Sequence, residues 1–420
     1  MRKLLVSSTI LALATAGVVA SPSGFAAQAE ASSRPSPTEF ALKGSGYGSK
    51  VNGGDVPTGS GKTAYQVIGC TNRAGLNREN HQLEQTIPGL GRASQIKTRV
   101  WTRDRGGVVS SYSRNTIARI EVMDSPLGSL EINGILSLSR AFHDQDGFDT
   151  SHRTTVQSIS FTPPGGKPEA LELPTPGDPV EIPGVARIAA GETRAKANAE
   201  GARIQTDALK IFLTANGSRV RIAHTAAEIH RGLVSGVFSG SASGSRAEAV
   251  DGNLTSGRTP YLVMPCQGTG GEVRTRSITG TELAGGLLVQ GLSTAERANQ
   301  NKRRAYGYTQ ARIAHLNLGG GQLVAKGIVG RVNVERLASG KLRRNTNGTT
   351  LGTLTYNGEP KPFPDTDVLE IPGVAKIERN VVRRFKGGLH VISLRITVLD
   401  GTGAVFNLGE AKLRIRPSGN

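Results

Sequence analysis

The C-terminal half of the chain repeats its N-terminal half. Tyr65 returns as Tyr261 and Cys70 as Cys266, so both pairs are separated by 196 positions (266 − 70). The same offset joins Gly44-Ser45 to Gly240-Ser241, and Ser60-Gly61-Lys62 to Ser256-Gly257-Arg258. Such a long period indicates a duplicated domain, because the units of solenoid proteins are several-fold shorter.

The repeat continues downstream with a smaller offset. Residues 181–188, Glu-Ile-Pro-Gly-Val-Ala-Arg-Ile, parallel residues 370–377, Glu-Ile-Pro-Gly-Val-Ala-Lys-Ile, at an offset of 189 (370 − 181). The first copy therefore carries extra residues, which loops accommodate at little cost. We predict a linker at residues 30–40, a first domain at 41–231 and a second at 232–420, each of ordinary domain size.

Alternating apolar and polar side chains indicate that both copies consist of β-strands. Apolar residues occupy every second position from Ile392 to Val398, and a matching pattern runs from Leu209 to Leu213. This period of two is typical of half-buried strands. Residues 191–202 and 294–303 are weak helix candidates. We predict an all-β protein of two homologous tandem domains, each a β-sandwich or barrel-like.

The first 29 residues have the pattern of a secretory signal peptide. A basic pair, Arg2-Lys3, precedes a mostly apolar stretch at residues 4–20, and small residues at 18–20 or 27–29 offer a cleavage site. No later stretch is apolar and long enough to span a bilayer. We therefore expect the mature chain to be secreted.

The chain is strongly basic, with 51 Lys and Arg against 33 Asp and Glu and a net charge of +18. A secreted protein of this charge attracts polyanions such as anionic cell-wall polymers, acidic glycans, lipid headgroups and nucleic acid. A solubility effect is the alternative, because the arginines are spread out; compact basic spots occur at 303–304, 343–344 and 383–384. Only 4% of residues are aromatic, which argues against nucleic acid, since single strands are usually bound by stacking.

Two cysteines occupy equivalent positions of the repeats. Cys70 and Cys266 are the only cysteines in the sequence, and an oxidising compartment permits a disulfide between them. Equivalent residues can meet only near a pseudo-two-fold axis between the domains, where a bond would join both copies and close a long loop. We favour separate burial of two thiols, because buried cysteines commonly act as small apolar residues.

Two motifs suggest ligands but are better explained as turns. Residues 56–63, Val-Pro-Thr-Gly-Ser-Gly-Lys-Thr, resemble a phosphate-binding loop, yet a strand-like segment follows where that loop requires a helix. Asp144, Asp146 and Asp149 suggest calcium, but their spacing does not match an EF-hand and the second copy has no counterpart. We predict no cofactor and no metal site.

No set of catalytic residues stands out. Apart from the neighbouring His224 and His230, the seven histidines are far from one another in sequence, and no Gly-x-Ser-x-Gly elbow is present. Both copies keep glycine, tyrosine, cysteine and apolar strand positions, which are scaffold residues. We predict a non-enzymatic structural or binding protein of the cell envelope or extracellular space. The alternative is a secreted hydrolase acting on a cell-wall polymer or polysaccharide.

Several short motifs of the second copy resemble a known family. They are Ala305-Tyr306-Gly307, the segment 311–318 (Ala-Arg-Ile-Ala-His-Leu-Asn-Leu), and the segments 321–325, 370–375 and 405–411. This progression resembles the choice-of-anchor P family of secreted actinobacterial proteins. The resemblance implies an extracellular, surface-associated module in two tandem copies, and it carries no activity. Because no Leu-Pro-x-Thr-Gly signal and no C-terminal hydrophobic helix is visible, we expect release or loose, charge-based retention on the wall.

Overall fold

Antiparallel β-strands make up almost all of the regular structure. The computed structural model describes residues 34–53, 59–87, 90–125, 127–214, 217–249, 254–255, 257–283, 286–363, 368–399, 401 and 403–418. These residues contain thirty strands in four antiparallel sheets and a short 3-10 helix at Gly319–Gly321, so the predicted all-β class is confirmed. No helix in this part of the chain has the length and apolar character needed to cross a membrane. The predicted signal peptide, residues 1–29, lies outside the described residues.

The first repeat supplies two sheets that pack face to face. Sheet 1 contains, in spatial order, β11 (Val180–Ile182), β12 (Ala186–Ala190), β15 (Leu209–Leu213), β16 (Arg219–His230), β1 (Ser36–Asn52) and β3 (Gln66–Ala74), with β14 (Gly201–Thr206) beside β16 and β13 (Thr193–Asn198) beside β14. Sheet 2 contains β10 (Glu169–Leu171), β9 (Ser158–Thr162), β7 (Gly128–Asp144), β6 (Val108–Ser125), β5 (Gly91–Arg105) and β4 (Asn77–Ile87), with β8 (Gly147–Thr155) beside β7. Val51, Ile96 and Ile222 belong to the apolar core between them.

The second repeat supplies two sheets of matching topology. Sheet 3 contains β2 (Gly59–Ser60), β18 (Leu254–Thr255), β17 (Gly236–Ala249), β30 (Val405–Pro417), β29 (Gly388–Val398), β28 (Ala375–Phe385) and β27 (Val368–Ile371), with β19 (Thr259–Val263) beside β17. Sheet 4 contains β20 (Arg274–Leu283), β21 (Leu287–Gln300), β22 (Arg304–Leu318), β23 (Leu323–Leu337), β25 (Thr353–Tyr356) and β26 (Glu359–Lys361), with β24 (Leu342–Asn345) beside β23. Among the described strands, β2 alone joins a sheet of the other repeat.

Period-two alternation places one face of each strand in a core. In β7, buried and partly exposed residues alternate, and Leu130 and Ile132 are buried. In β15, Leu209, Ile211 and Leu213 are buried, as their spacing predicts. Each such side chain stabilises the fold by about 1.5–3 kcal/mol, so the alternation supplies the main driving force for sheet packing.

Glycines shared by the two repeats let the paired sheets approach closely. A Cβ atom on Gly44 would lie 2.7 Å from Cγ1 of Val100 on the facing sheet. A Cβ atom on Gly244 would likewise lie 2.8 Å from Cδ2 of Leu292. No larger residue fits at either position without a shift, so the repetition of these glycines reflects packing.

The two repeats meet at a pseudo-two-fold axis marked by Cys70 and Cys266. Their side chains form a buried disulfide with the Cα atoms 5.2 Å apart. Ala41 and Val237, which are also equivalent positions (237 − 41 = 196), pack in the same cluster. The interpretation as two separately buried thiols is therefore wrong, because the axis places the equivalent sulfurs side by side.

A strand pair crosses the same axis. Gly59 of β2 lies opposite Thr255 of β18, its own counterpart (255 − 59 = 196), and Ser60 lies opposite Leu254. Together with the disulfide, this pairing joins the two expected domains, and residues 35–420 form one compact unit.

Asn72 of β3 brings together residues near both ends of the described chain. Its Nδ2 donates to the carbonyl oxygens of Thr38 on β1 and of Ser418, which follows β30. The Ser418 hydroxyl in turn donates to the carbonyl oxygen of Val234 at 3.1 Å, in the segment between the repeats. The first strand, the last strand and the connection between the repeats therefore converge.

Three local expectations were wrong. Both candidate helices are strands, since residues 191–202 contain β13 and residues 294–303 begin inside β21. Pairing with neighbouring strands outweighs the weak helical preference of these segments. The linker expected at 30–40 ends earlier, because β1 begins at Ser36.

Candidate anion-binding site

The outward face of sheet 1 carries cations in cross-strand register. In β16, Val220 and Ile222 are buried whereas Arg221 is exposed. Lys50 on β1 lies directly opposite Arg221, and Arg221 lies directly opposite Lys210 on β15. Neighbouring strands are about 4.8 Å apart, so the three cations form a line about 10 Å long. We call Lys50, Arg221 and Lys210 the cationic row.

A second cross-strand line flanks the cationic row. Arg219 lies opposite Phe212 on β15, and Phe212 lies opposite Arg187 on β12. The Arg219 guanidinium is 5.6 Å from the centroid of the Phe212 ring. Both lines border a pocket of about 770 Å³, whose cationic lining residues are Lys50, Lys62, Arg187, Lys210, Arg219 and Arg221.

This concentration of charge works against folding. Like charges directly opposite one another destabilise a sheet. Carboxylates offset part of the cost, since Glu192 Oε2 lies 2.5 Å from Lys210 Nζ and Asp207 Oδ2 lies 3.9 Å from Arg221 Nε. Lys50 has no such partner among the described residues, and burial and the charge of Arg221 lower its pKa. An array that costs stability in the free protein is typical of a binding site.

A buried histidine–aspartate pair lies beside the pocket, and His224 is one of the lining residues. His224 Nδ1 lies 2.7 Å from Asp207 Oδ1, with both side chains largely shielded from solvent. The His224 ring stacks on Tyr47, with ring centroids 4.5 Å apart. Burial and the charge of Asp207 raise the pKa of Tyr47 to about 12, so its phenol stays protonated at neutral pH. The carboxylate of Asp207 is therefore already engaged by His224 and Arg221.

Lys62 extends the cationic row by one position. The amide of Gly48 donates to the carbonyl oxygen of Thr63, and the amide of Thr63 donates to that of Ser49. These bonds hold the segment that contains Lys62 next to β1, on the side of β1 that faces away from β16. The ammonium of Lys62 therefore adds a fourth cation beyond Lys50.

Two aromatic rings favour the charge of Lys62, whereas burial and neighbouring cations oppose it. Its ammonium lies 5.0 Å from the centroid of the Tyr47 ring and 4.5 Å from that of the Tyr65 ring. Burial and the charges of Lys50 and Arg258 lower the pKa of Lys62 to about 8, although the residue also reaches solvent. An anion bound here would relieve the repulsion among these cations.

The equivalent face of sheet 3 is charge-balanced. The pairing registers make Arg246, Asn407 and Arg395 the counterparts of Lys50, Arg221 and Lys210. Two carboxylates also appear on this face. Glu248 Oε1 lies 2.6 Å from Arg246 Nη2, and Glu378 Oε2 lies 3.8 Å from Arg395 Nη1. The excess of positive charge thus belongs to the first repeat.

The compact basic spots of the sequence do not form this site. Arg304 and Arg343 both pair with Glu335, at 2.9 and 3.4 Å. Arg344 donates hydrogen bonds to two backbone carbonyl oxygens. Sequence reasoning missed the cationic row because its members lie on three strands whose register was unknown. The alternation Arg-Val-Arg-Ile at 219–222 was the one local sign of it.

The other predicted motifs lie apart from one another. Residues 56–58 of the phosphate-loop resemblance lie outside the described residues, whereas Lys62 of the same motif lines the pocket. Asp144 Oδ1 accepts a hydrogen bond from the Asp146 amide at 3.0 Å, in the turn between β7 and β8. In the described part of the chain, no group of three or more His, Cys, Asp or Glu side chains is placed to hold a metal ion.

The single tryptophan does not present an open ring face. Trp101 stacks on Tyr112 with centroids 4.7 Å apart and planes 4° apart. The guanidinium of Arg99 lies 4.8 Å from the Trp101 centroid, and that of Arg140 lies 5.4 Å from the Tyr112 centroid. Each ring of the stack therefore also has a guanidinium close to it, and these aromatic and cation–π contacts stabilise sheet 2.

A buried carboxylate distinguishes the interior of the second repeat. Glu296 on β21 is fully buried, where the first repeat has Val100 (296 − 100 = 196). The Arg274 guanidinium lies 2.9 Å from Glu296 Oε1, which is close enough for ion pairing but lacks hydrogen-bond geometry. Burial raises the pKa of Glu296 to about 7, although Arg274 and Arg276 oppose the shift. This group titrates near neutral pH, far from the cationic row in the sequence.

No family model matches the chain, and no curated protein matches it. The resemblance to the choice-of-anchor P family therefore stays a prediction. The fold and the site define the class by structure alone: a duplicated all-β protein with a cationic pocket on one sheet of its first half.

Proposed function

We propose that this protein is a non-enzymatic binding protein that works outside the cell and holds anionic groups of cell-envelope polymers on its first repeat. The observation that carries the proposal is the cationic row, in which Lys50, Arg221 and Lys210 lie directly opposite one another. The net charge of +18 attracts polyanions at a distance, and the row gives them a place to bind.

Two features support an extracellular location. The first 29 residues have the basic and apolar regions of a secretory signal. The disulfide between Cys70 and Cys266 is of a kind that persists in oxidising compartments and is rare in the cytosol. Outside the cell, the net charge of +18 would retain the protein on an anionic wall, and salt should weaken that retention.

The pocket favours binding over the alternative of a secreted hydrolase. His224 and Asp207 are paired as in many hydrolases, but the described residues that line the pocket include no serine, threonine or cysteine. Tyr47 supplies a hydroxyl whose pKa of about 12 makes it a poor nucleophile at neutral pH. Six of the described lining residues are lysines or arginines, so the pocket is mainly a source of positive charge.

Retention on purified cell walls tests the proposal. We expect the secreted chain to bind at low salt and to be released at high salt. A variant with Lys50→Glu, Lys210→Glu and Arg221→Glu should lose retention even at low salt. The wall polymer should be recovered at unchanged length, because binding involves no turnover.

A matched variant separates the site from overall charge. The matched variant replaces three exposed lysines outside the pocket, through Lys167→Glu, Lys302→Glu and Lys341→Glu. It changes the net charge by the same amount as the first variant. Retention of this variant with loss of the first supports the site. Equal loss in both would assign retention to net charge, and shortening of the polymer would favour the hydrolase.

A further inference from the structure

The line of cations continues into the second repeat. Lys62 extends it beyond β1, and its counterpart is Arg258 (258 − 62 = 196). The pairing of Gly59 with Thr255 brings the two segments together at the pseudo-two-fold axis. The charge of Arg258 accordingly helps to lower the pKa of Lys62. Five cations thus follow one another across both repeats: Lys210, Arg221, Lys50, Lys62 and Arg258. We call these five the cationic track.

Carboxylates mark both ends of the cationic track. At one end, Glu192 Oε2 lies 2.5 Å from Lys210 Nζ. At the other end, Glu410 Oε2 lies 3.9 Å from the Nε of Arg258. Beyond Arg258, Glu248 neutralises the counterpart of Lys50. An anionic chain on the track therefore meets an excess of positive charge over a limited length.

The lining of the cationic track disfavours nucleic acid. Proteins that bind single strands stack bases on open aromatic rings. Here Tyr47 is buried and its ring stacks on His224. Tyr65 and Phe212 are exposed, but a cation already lies near each ring, Lys62 at 4.5 Å from the Tyr65 centroid and Arg219 at 5.6 Å from the Phe212 centroid. Separate cations about one strand spacing apart instead suit a flexible backbone with one charge in each repeating unit.

We propose, as an extension that rests on the proposed function, that the cationic track binds a linear phosphodiester polymer without bases. Such a chain, of the polyol-phosphate kind, lies across the strands of sheet 1 and reaches Arg258. The disulfide-linked interface is then part of the binding site, because it holds the last cation of the track, Arg258, close to Lys62 of the first repeat.

Oligomers of glycerol phosphate of increasing length, titrated by calorimetry, test this inference. Affinity should rise with each phosphate up to about five and then level off, since each unit gains one charge-assisted contact. Arg258→Gln should weaken binding of oligomers of five or more units roughly tenfold and leave short ones almost unchanged. Arg258→Lys should restore most of the affinity, and the matched control Arg312→Gln, at an exposed site on β22, should have no effect.

The outcomes separate the two proposals. If no oligomer binds while the protein is still retained on cell walls, the inference is wrong and the proposed function stands, whereas failure of both assays refutes the proposed function. If oligomers bind but length has no influence, or if Arg258→Gln behaves like Arg312→Gln, the site is confined to the first repeat and the inference is wrong. Tighter binding of single-stranded DNA with the same number of phosphates would overturn the choice of polymer. An unchanged unfolding temperature of Arg258→Gln verifies that the repeat interface is intact.

Discussion

The two repeats share one architecture but use the same sheet face differently. In sheet 1, Arg221 lies between two lysines, whereas Asn407 takes its place in sheet 3 and two carboxylates accompany the remaining arginines. The scaffold positions, among them the close-approach glycines and the two cysteines, are common to both. Since the fold forms with either set of charges, folding does not require the cations of the first repeat. Their concentration on the first repeat supports the proposed binding of an anionic polymer.

In the interiors, the additional charged group lies in the second repeat. The first repeat has the apolar Val100 where the second buries the carboxylate of Glu296. Each repeat thus carries one costly departure from its twin, on the surface in one case and in the core in the other. A duplicated fold lets each departure be tested by exchanging residues between equivalent positions.

The largest expected effect comes from removing the disulfide that links the two repeats. The variant with Cys70→Ser and Cys266→Ser loses the cross-link, and we expect a loss of about 2–5 kcal/mol in the free energy of unfolding. Calorimetry should show two transitions, because repeats with different interiors then unfold with different stabilities. A single transition at the original temperature would mean that the strand pairing at the axis suffices.

Next in size is the effect of the buried carboxylate. The pKa of Glu296 in the folded protein, about 7, exceeds its ordinary 4.5, so the native state binds the proton more tightly. Stability should therefore fall as the pH rises from about 4.5 to about 7 and stay constant above, by roughly 3 kcal/mol in all. Glu296→Val should remove this dependence and raise stability at alkaline pH. Urea unfolding at several pH values measures this pH dependence of stability. The reciprocal variant is Val100→Glu, which places a carboxylate at the equivalent position of the first repeat.

An exchange of the sheet faces should change binding by about 10- to 100-fold at low salt. One variant gives the first repeat the charges of the second, through Asn52→Glu, Ala189→Glu and Arg221→Asn. The reciprocal variant carries Glu248→Asn, Glu378→Ala and Asn407→Arg. Titration with glycerol phosphate polymer should show lost affinity in the first variant and a second binding site in the other. Unchanged affinity in the first would contradict the role of the cationic row.

The smallest effect is a pH dependence of binding. Because its pKa is about 8, Lys62 loses its charge as the pH rises through that value, whereas its counterpart Arg258 stays charged. We expect affinity for the polymer to fall about threefold between neutral pH and about pH 9. Lys62→Arg should make affinity constant over that range. A fall of equal size in Lys62→Arg would place the titrating group elsewhere.

The sequence predicts the architecture well and the site poorly. Period-two alternation and the offset of 196 indicate strands, duplication and the equivalence of the two cysteines, all of which are local or self-similar properties. The cationic row depends on the register between strands that are far apart in the chain, such as those of Lys50 and Arg221. No local pattern reports that register, and the sequence therefore pointed to Arg304 and Arg343, which the fold neutralises with Glu335. Glu296 could have been flagged, because the same offset pairs it with Val100.

The convergence at Asn72 makes the described chain an almost closed ring. Segment 231–235 leads from β16 into β17, and the pseudo-two-fold axis relates it to the gap between Ser418 and the start of β1. A short peptide across that gap would close the ring, and a cut between β16 and β17 would then keep every strand pairing. This circularly permuted chain would begin with the second repeat and adopt the same fold. Which repeat comes first is thus set by where the ring is open, and the strand pairings of the described residues do not depend on it.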